Sequence, residues 1–337
     1  MRSRYDSQTK KRKEIRGGIR KKQKIILLCT SLAVLFIVAI LIVTIKIGYF
    51  NKNLEVSADI LENSSESTEE YTLDNDGKND SGKDNSSKEN SDNSGYLKLE
   101  DDPNAEDALQ VFANTEGLLK GTKQYPVRTD GKKIVYLTFD DGPSTENTSN
   151  VLKTLEQYGV KATFFVTGKS VDSGEESKKL LKQIAKNGHA IGNHTYSHDY
   201  NKLYPGRTID SNAFMAEIDK CNESLKSVLG KDFSTRVIRF PGGYWSWNGR
   251  TGIRPVIDEK GYAIIDWNTL NEDAQGPKKN AEQLVQSLKK NTDALGPNAD
   301  SVVVLMHDTY GKSETVKSVP QIIEYFKAKG FEFKTIK

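Results

Sequence analysis

Ile134-Val135-Tyr136-Leu137-Thr138-Phe139-Asp140-Asp141-Gly142-Pro143 is a run of β-branched and aromatic residues that ends in two adjacent carboxylates and a Gly-Pro turn. Such side chains fit a pleated, buried strand. Carboxylates at the carboxyl end of a buried strand are what an active site on a β/α scaffold looks like. An acidic turn after a strand is the plain alternative, and these ten residues do not decide between the two. If the site is real, the rest of the chain must supply partners for the carboxylates.

Downstream of Lys132, short apolar runs alternate with helical patterns. Strands are expected at Ile134–Phe139, Ala162–Thr167, His189–Gly192, Arg236–Phe240, Tyr262–Trp267, Val302–Met306 and Phe331–Ile336. Helices are expected at Asn147–Tyr158, Glu175–Asn187, Asp210–Leu229, Pro277–Leu295 and Val319–Lys329, each followed by a glycine suited to the left-handed cap. Strands alternating with helices imply a parallel sheet, and seven is an awkward number for an open one. A barrel of seven or eight β/α units is the expected α/β architecture.

Upstream the composition changes character. Residues 1–24 carry eleven Lys and Arg against two acids and residues 25–45 carry no charge, leaving 38 basic against 44 acidic residues in 46–337. The basic character belongs to a short arm, so the folded part offers no nucleic-acid face. Residues 25–45 are 21 uncharged, mostly apolar residues, enough to cross the ~30 Å hydrocarbon core. The basic flank places residues 1–24 in the cytoplasm by the positive-inside rule. A cleavable signal peptide would have a shorter apolar core and a nearby small-x-small site. Residues 46–103 read as a disordered extracytoplasmic linker, since between Asn63 and Gly95 only Tyr71 and Leu73 are apolar. Residues 104–130 form a lead-in segment without an assigned role, and 131–337 the catalytic domain, expected to be monomeric. The two cysteines are Cys29, in the apolar span, and Cys221, on an apolar helix face. They allow neither a disulfide within the domain nor a cysteine-based metal site.

The loops expected at the carboxyl ends of the strands collect the rare residues. Three of the chain's four histidines (His194, His198 and His307) and all three tryptophans lie there. His194 and His198, four apart, would sit on one side of a helical turn and, with a carboxylate, make a two-His-one-acid catalytic metal set. Zn²⁺ is the default; Co²⁺, Ni²⁺ or Mn²⁺ also suit the donors. One acid of the Asp140-Asp141 pair would bind the metal and the other act as general base, with Arg239 paired to the base. His307 would donate a proton to the leaving group, with Asp273 holding its imidazole. Tyr244, Trp245, Trp247 and Trp267 offer flat faces for stacking on sugar rings. His189 reads as a structural histidine.

These residues resemble the polysaccharide deacetylase family with NodB homology (carbohydrate esterase family 4), over about residues 131–337. Thr138-Phe139-Asp140-Asp141-Gly142 matches its first motif, which implies Asp140 as base and Asp141 as metal ligand. His194-Thr195-Tyr196-Ser197-His198 matches its His-Ser/Thr-x-x-His motif, implying that both histidines are ligands. Arg239-Phe240-Pro241-Gly242 is similar to its Arg-x-Pro motif, where the arginine orients the base and a backbone N–H, here at Gly242, helps hold the oxyanion. Leu305-Met306-His307 matches Leu-x-His, implying Leu305 in the acetyl pocket and His307 as acid. The family's Asp-Trp motif aligns with Asp273-Ala274, so its tryptophan is missing and Trp267 is the candidate replacement. The resemblance implies a distorted (β/α)7 barrel.

The expected function is metal-dependent removal of N-acetyl groups from an extracellular glycan, with peptidoglycan N-acetylglucosamine as the leading substrate. A cell-membrane location follows from the span, the bilayer being a partner through residues 25–45. O- or N-deacetylation of a xylan-, chitin- or exopolysaccharide-like polymer is the runner-up. A two-carboxylate glycosidase and an inactive glycan-binding module are the rivals. The first would need its acids about 5–9 Å apart across the scissile bond.

Overall fold

The computed structural model describes residues 95–337. The basic arm, the apolar span at 25–45 and the linker as far as residue 94 lie outside the described residues. Among the described residues no helix is long and apolar enough to cross a membrane.

The domain begins with β1 (Ala105–Glu106) and α1 (Ala108–Leu119), followed by β2 (Ile134–Asp140) and α2 (Thr148–Gln157). Next come β3 (Thr163–Val166), α3 (Gly168–Val171), α4 (Glu175–Lys186), β4 (Ala190–Asn193), α5 (Tyr200–Leu203) and α6 (Ser211–Leu229). The chain continues through β5 (Val237–Ile238), α7 (Arg250–Glu259), β6 (Ala263–Ile264), β7 (Thr269–Leu270) and α8 (Ala281–Asp293). It ends with β8 (Ser301–His307), α9 (Ser313–Ala328), β9 (Glu332–Phe333) and β10 (Thr335–Ile336).

The main sheet is parallel, in the order β6-β5-β4-β3-β2-β8-β7. Central β2 is buried on both faces, which is why it reads as an unbroken apolar run. It pairs with β8 from Ile134↔Ser301 to Asp140↔His307. On its other side β9 lies along Ile134–Val135 and β3 along Thr138–Asp140. The path ends, β6 and β7, are nearly consecutive in sequence. Ile265 N–H still bonds Ile238 O (2.9 Å), whereas Asn268 N–H already bonds Val303 O (3.2 Å). The expected strand at Tyr262–Trp267 is therefore only the short β6, and β7, just beyond it, lies on the opposite edge. No ladder joins them, so the barrel is a curled half-barrel.

Successive strand residues face opposite sides, and the two sides of the sheet form separate cores. Val135, Leu137 and Phe139 pack with Val304, Met306 and helical Leu155, Leu181 and Ile322. Ile134 and Tyr136 pack inside the curl with Phe165, Ile238, Phe240 and Val303. By the same alternation Asp140 belongs to the inner column of β2 and His307 to that of β8. The fold thus delivers a carboxylate and an imidazole to neighbouring positions at the mouth of the curl.

The lead-in segment belongs to this domain. Val111 and Phe112 of α1 join the inner core, Ala108 N–H bonds Lys337 O (2.7 Å), and β1 pairs with β10. The unstructured linker expected over 46–103 does not extend to its last residues. The polar run stops at Gly95, and Tyr96 packs edge-on to Phe233 (5.0 Å), while Asp102 pairs with Lys337 in a buried contact (2.7 Å). Two helix starts also differ. α8 begins at an Asn280–Gln283 capping box rather than at Pro277, and α9 begins at Ser313 and carries Pro320 within it.

Phe214 on α6 is fully buried and stacks on Phe240 at 3.9 Å. Phe214→Ala is expected to cost about 3–5 kcal/mol of stability, read as a lower urea midpoint at unchanged slope.

Candidate active site

Asp140 ends β2 and is buried. Its Oδ1 accepts from Arg239 Nη1 at 2.7 Å. That guanidinium is fully buried, and also donates to Thr138 Oγ1 (2.7 Å) and Ile265 O (2.7 Å) and lies over the Phe165 ring (3.9 Å). Burial raises the Asp140 carboxyl above its ordinary value, and Arg239 and then His307 oppose that rise. Asp140 is a carboxylate held ionised by a dedicated cation yet more basic than a surface acid, as a general base requires.

Asp141 leaves the strand at φ 71°, in the left-handed region, with its N–H on Phe165 O (3.1 Å). The turn in the backbone brings its carboxylate between the two histidines, whereas Asp140 Oδ2 lies near His194 alone, 3.6 Å from its Nε2. Behind it Gly142 has no room for a side chain, since a Cβ would fall 2.4 Å from Asp308 Oδ1. Asp308 is buried, accepts from Thr148 Oγ1 (2.5 Å), and burial pushes its pKa up to about 7. Its backbone N–H reaches Asp140 O (3.3 Å) and its carbonyl accepts from Ser144 Oγ (2.6 Å). Asp308 therefore props the turn that carries both acids. Sequence reading passed over it, although it directly follows His307.

His194 and His198 do not lie on a helical turn. Residues 194–199 are irregular, and Thr195 (φ 68°) and His198 (φ 55°) are both left-handed, which no helix tolerates. The rings still meet, with centroids 5.0 Å apart. Donor atoms of Asp141, His194 and His198 lie within 4.8 Å of one another. His194 Nε2 and His198 Nε2 stand 3.5 and 3.4 Å from Asp141 Oδ1. Ligand bonds of about 2.1 Å in a tetrahedron set donors about 3.4 Å apart. His194 Nδ1 lies 2.8 Å from Arg239 O and must donate to it, so Nε2 presents a lone pair. Burial lowers that imidazole to about 3, keeping it neutral. The buried Asp141 Oδ1 it faces has no hydrogen-bond partner. A lone pair facing an unpartnered carboxylate oxygen is repulsive until a cation sits between them, so these residues fit a divalent metal.

On the other side of Asp140 stands His307, its register partner. Asp273 Oδ1 bonds His307 Nδ1 at 2.7 Å, and Asp273 Oδ2 accepts from His307 N–H (2.9 Å) and Thr315 Oγ1 (2.7 Å). The loop from β7 thus folds back onto β8, and Lys312 Nζ pins it by donating to Asp273 O (2.7 Å). Burial opposes charging His307, but the bond to Asp273 outweighs it and lifts the pKa to about 9.

The aromatic residues separate. Tyr244, expected to stack on sugar, is buried in the inner core against Phe240 (5.1 Å), and its N–H bonds Asp266. Trp247 is buried too, stacked on Tyr204 at 4.0 Å with Nε1 on Pro241 O (2.9 Å). Trp245 is exposed. Trp267 is half-buried, and a Cβ on Gly243 would come within 3.0 Å of its ring, which lies 5.6 Å from Arg239. Leu305 lies two residues before His307, on the same inner column and nearly buried. Gly242 is exposed at φ 74°, a conformation suited to glycine. Sequence reading missed Tyr200, exposed at 44% with its ring 5.2 Å from His198. Its place two residues after a ligand histidine was the only signal. His189 is structural: its Nδ1 accepts from Ala162 N–H (3.1 Å).

With this geometry in hand, similarity to known proteins is specific. The family described as polysaccharide deacetylase matches residues 127–263. A Bacillus cereus peptidoglycan-N-acetylglucosamine deacetylase is 33% identical over 233 residues, 68% of this chain and 78% of that protein. This chain belongs to the polysaccharide deacetylase family. A bifunctional xylanase/deacetylase of Pseudobutyrivibrio xylanivorans is also 33% identical, over 62% of this chain but only 30% of its own length. Among solved structures, a Streptococcus mutans CE4 esterase superposes with a TM-score of 0.63 at 31% identity, covering 73% of this chain and 100% of that one. The protein is a hydrolase of this family with an Asp-His-His metal site. The family match ends before Asp273 and His307, whose pairing, expected from the sequence, is seen in the structure at 2.7 Å.

His198→Ala should leave the deacetylase folded, because the ring is half-exposed, but unable to retain Zn²⁺ through dialysis, as measured by metal content per chain. Arg239→Met should cost about 3–5 kcal/mol by stranding a buried carboxylate, measured by denaturant unfolding.

Proposed function

We propose that this deacetylase removes the N-acetyl group from N-acetylglucosamine in peptidoglycan. The observation that carries the reading is one opposition. A base held by Arg239 and an acid held by Asp273 occupy partner positions on adjacent strands, beside a three-donor metal set.

A divalent metal bound by Asp141, His194 and His198 would polarise the acetyl carbonyl and ease deprotonation of water. Asp140 takes the proton from the attacking water, with Arg239 keeping it ionised in its buried position. As the family resemblance implies, the Gly242 N–H would help hold the oxygen that gains charge as the tetrahedral centre forms. His307 then delivers its Nε2 proton to the departing amine as the C–N bond breaks. Asp273 fixes the imidazole by accepting from Nδ1, so the proton for transfer is on the other nitrogen. Leu305 and Trp267 flank the acetyl group, Trp267 standing in for the residue that Ala274 lacks. Adjacent acids with separate jobs, metal donors beside one and arginine on the other, do not suit a glycosidase.

The Bacillus cereus relative supports peptidoglycan as the substrate. O-Deacetylation of a xylan-like polymer is the second reading, favoured by the xylanase/deacetylase relative. We further propose that residues 25–45 span the cell membrane and residues 1–24 face the cytoplasm. The monomeric catalytic domain then stands outside on the linker, where the wall glycan is within reach.

The test is acetate release from peptidoglycan and from acetylated xylan, with and without chelator. Release from peptidoglycan, abolished by chelator and restored by Zn²⁺, is expected. Asp140→Asn and His307→Ala should each lower kcat by about 10²–10⁴; near-full activity in either would overturn the roles assigned. Because the reaction needs His307 protonated, its rate should fall as pH rises through about 9. Removing the negative partner in Asp273→Asn should bring that limb down toward about 6.5, seen in the pH–rate profile.

A further inference from the structure

A row of rings runs from the metal set to a cationic rim. The Tyr200 ring lies 5.2 Å from His198 and 5.2 Å from Trp247, and the Arg207 guanidinium lies 5.2 Å from the Trp247 ring. Arg250 is held by the same loop. It donates to Trp247 O and to Trp245 O (3.3 Å), and its guanidinium lies 5.3 Å from the exposed Trp245 ring. Arg207 Nη2 donates to Ser246 O (3.1 Å). Both arginines are therefore anchored on neutral carbonyls of one three-residue turn. Among the described residues, neither has a carboxylate within 4.0 Å, whereas Arg239 and Arg254 nearby are each paired with acids.

Both placements run against local stability. Arg207 is held at φ 66°, in the left-handed region. Arg250 is the first residue of α7, where the helix dipole disfavours a cation, and no acid stands in that first turn. The two segments are stitched together by Ile209 N–H on Asn248 O (3.0 Å) and Asn248 N–H on Arg207 O (2.9 Å). The guanidinia are thus pre-organised, and most of their five donors each are left over for a ligand.

We infer that Arg207 and Arg250, at the far end of the Tyr200–Trp247 row, form a subsite for a carboxylate carried by the glycan beside the sugar being deacetylated. This rests on the peptidoglycan reading, in which the sugar alternating with N-acetylglucosamine carries carboxylate-bearing substituents. The planar fork of each arginine suits bidentate capture of such a group. The subsite would favour anionic strands over neutral N-acetylglucosamine polymers, without touching the reacting atoms.

The test uses the full chain and three substrates: peptidoglycan strands with free carboxylates, the same strands amidated, and a neutral N-acetylglucosamine oligomer. In the Arg207→Gln/Arg250→Gln double variant, KM for the free-carboxylate strands should rise about tenfold, the scale of one charge-assisted hydrogen bond. Its kcat should stay within about twofold, as should both parameters on the amidated and neutral substrates, since the subsite acts in ground-state binding alone. Equal losses on all three substrates, or no change on any, would overturn the subsite. A parallel anisotropy measurement with labelled strands separates the two claims. Tighter binding of free than amidated strands, lost in the double variant, supports the subsite even if no acetate is released; acetate release without that preference leaves the substrate assignment standing and sinks the subsite. Stronger binding of a phosphate-bearing wall polymer than of the carboxylate strands would overturn the choice of carboxylate.

Discussion

The Arg239–Asp140 pair is the contact on which the site depends. Both side chains are buried, and taking two charges out of water costs several kcal/mol per ion unless geometry and further hydrogen bonds offset it. Here the offset comes from Thr138 on the same strand and the Ile265 carbonyl at the end of β6. The guanidinium therefore ties the carboxyl ends of β2, β5 and β6 together. The pair does not exist for stability, since an apolar pair of similar volume would hold these strands as well. What it provides is an ionised carboxylate in a place where burial alone would leave a neutral acid. Arg239 also contributes through its backbone, because its carbonyl fixes the tautomer of His194. One residue thereby sets the charge of the base and the lone pair of a metal donor.

Backbone strain is concentrated around the same point. Of the five non-glycine residues with positive φ among the described residues, Asp141, Thr195 and His198 are in the metal loops and Glu272 directly precedes Asp273. Such conformations cost of order 1 kcal/mol or more each and persist where the surroundings over-determine them. Asp141 is held by the Phe165 carbonyl, and Thr195 by Asn193 Oδ1 accepting its N–H at 2.9 Å. The gain is directional. A regular strand would put neighbouring carboxylates on opposite faces of the sheet, and a helix would fan them apart. One left-handed residue at the strand end lets Asp140 stay in the inner column while Asp141 reaches the histidines.

This explains why the chemistry was more legible in sequence than the conformation. Asp140, Asp141, His194, His198, Arg239 and His307 were identifiable as rare or charged residues in the loops at the ends of apolar runs, whereas Asp273 lay further along its loop and was marked out as a partner for His307 and by the family resemblance. Strand β2 was legible because burial on both faces leaves no polar interruption. The helical turn read for His194 and His198 was wrong, since spacing of four carries no information about left-handed residues between them. β5 and β6 fall within the strands expected at Arg236–Phe240 and Tyr262–Trp267 but are only two residues each, and β7, also two residues, was too short to give a periodic signal. α7 was hidden by Gly252 and Pro255, which lower helix propensity but are tolerated in a helix packed through Ile253 and Ile257. The aromatic run at 244–247 misled for a related reason. In a tight turn, adjacent residues point in different directions, so Tyr244 enters the core while Trp245 faces solvent.

The lead-in segment shows how an incomplete sheet constrains where a domain begins. A barrel with no ladder between β6 and β7 leaves a seam through which water would reach Ile264 and Val303. α1 packs against β6 and β8, on both sides of that seam, and sets Val111 and Phe112 against the inner core. Glu116 near its end bonds Arg254 of α7 (2.6 Å), and Lys337 closes the base by accepting the Ala108 N–H on its carbonyl and pairing with Asp102. A domain starting at residue 131 would therefore expose the face of the inner core that α1 covers. The inner core also carries the columns that end in Asp140 and His307. Closure by α1 is then part of what keeps the base and the acid in register, although no residue of α1 touches either.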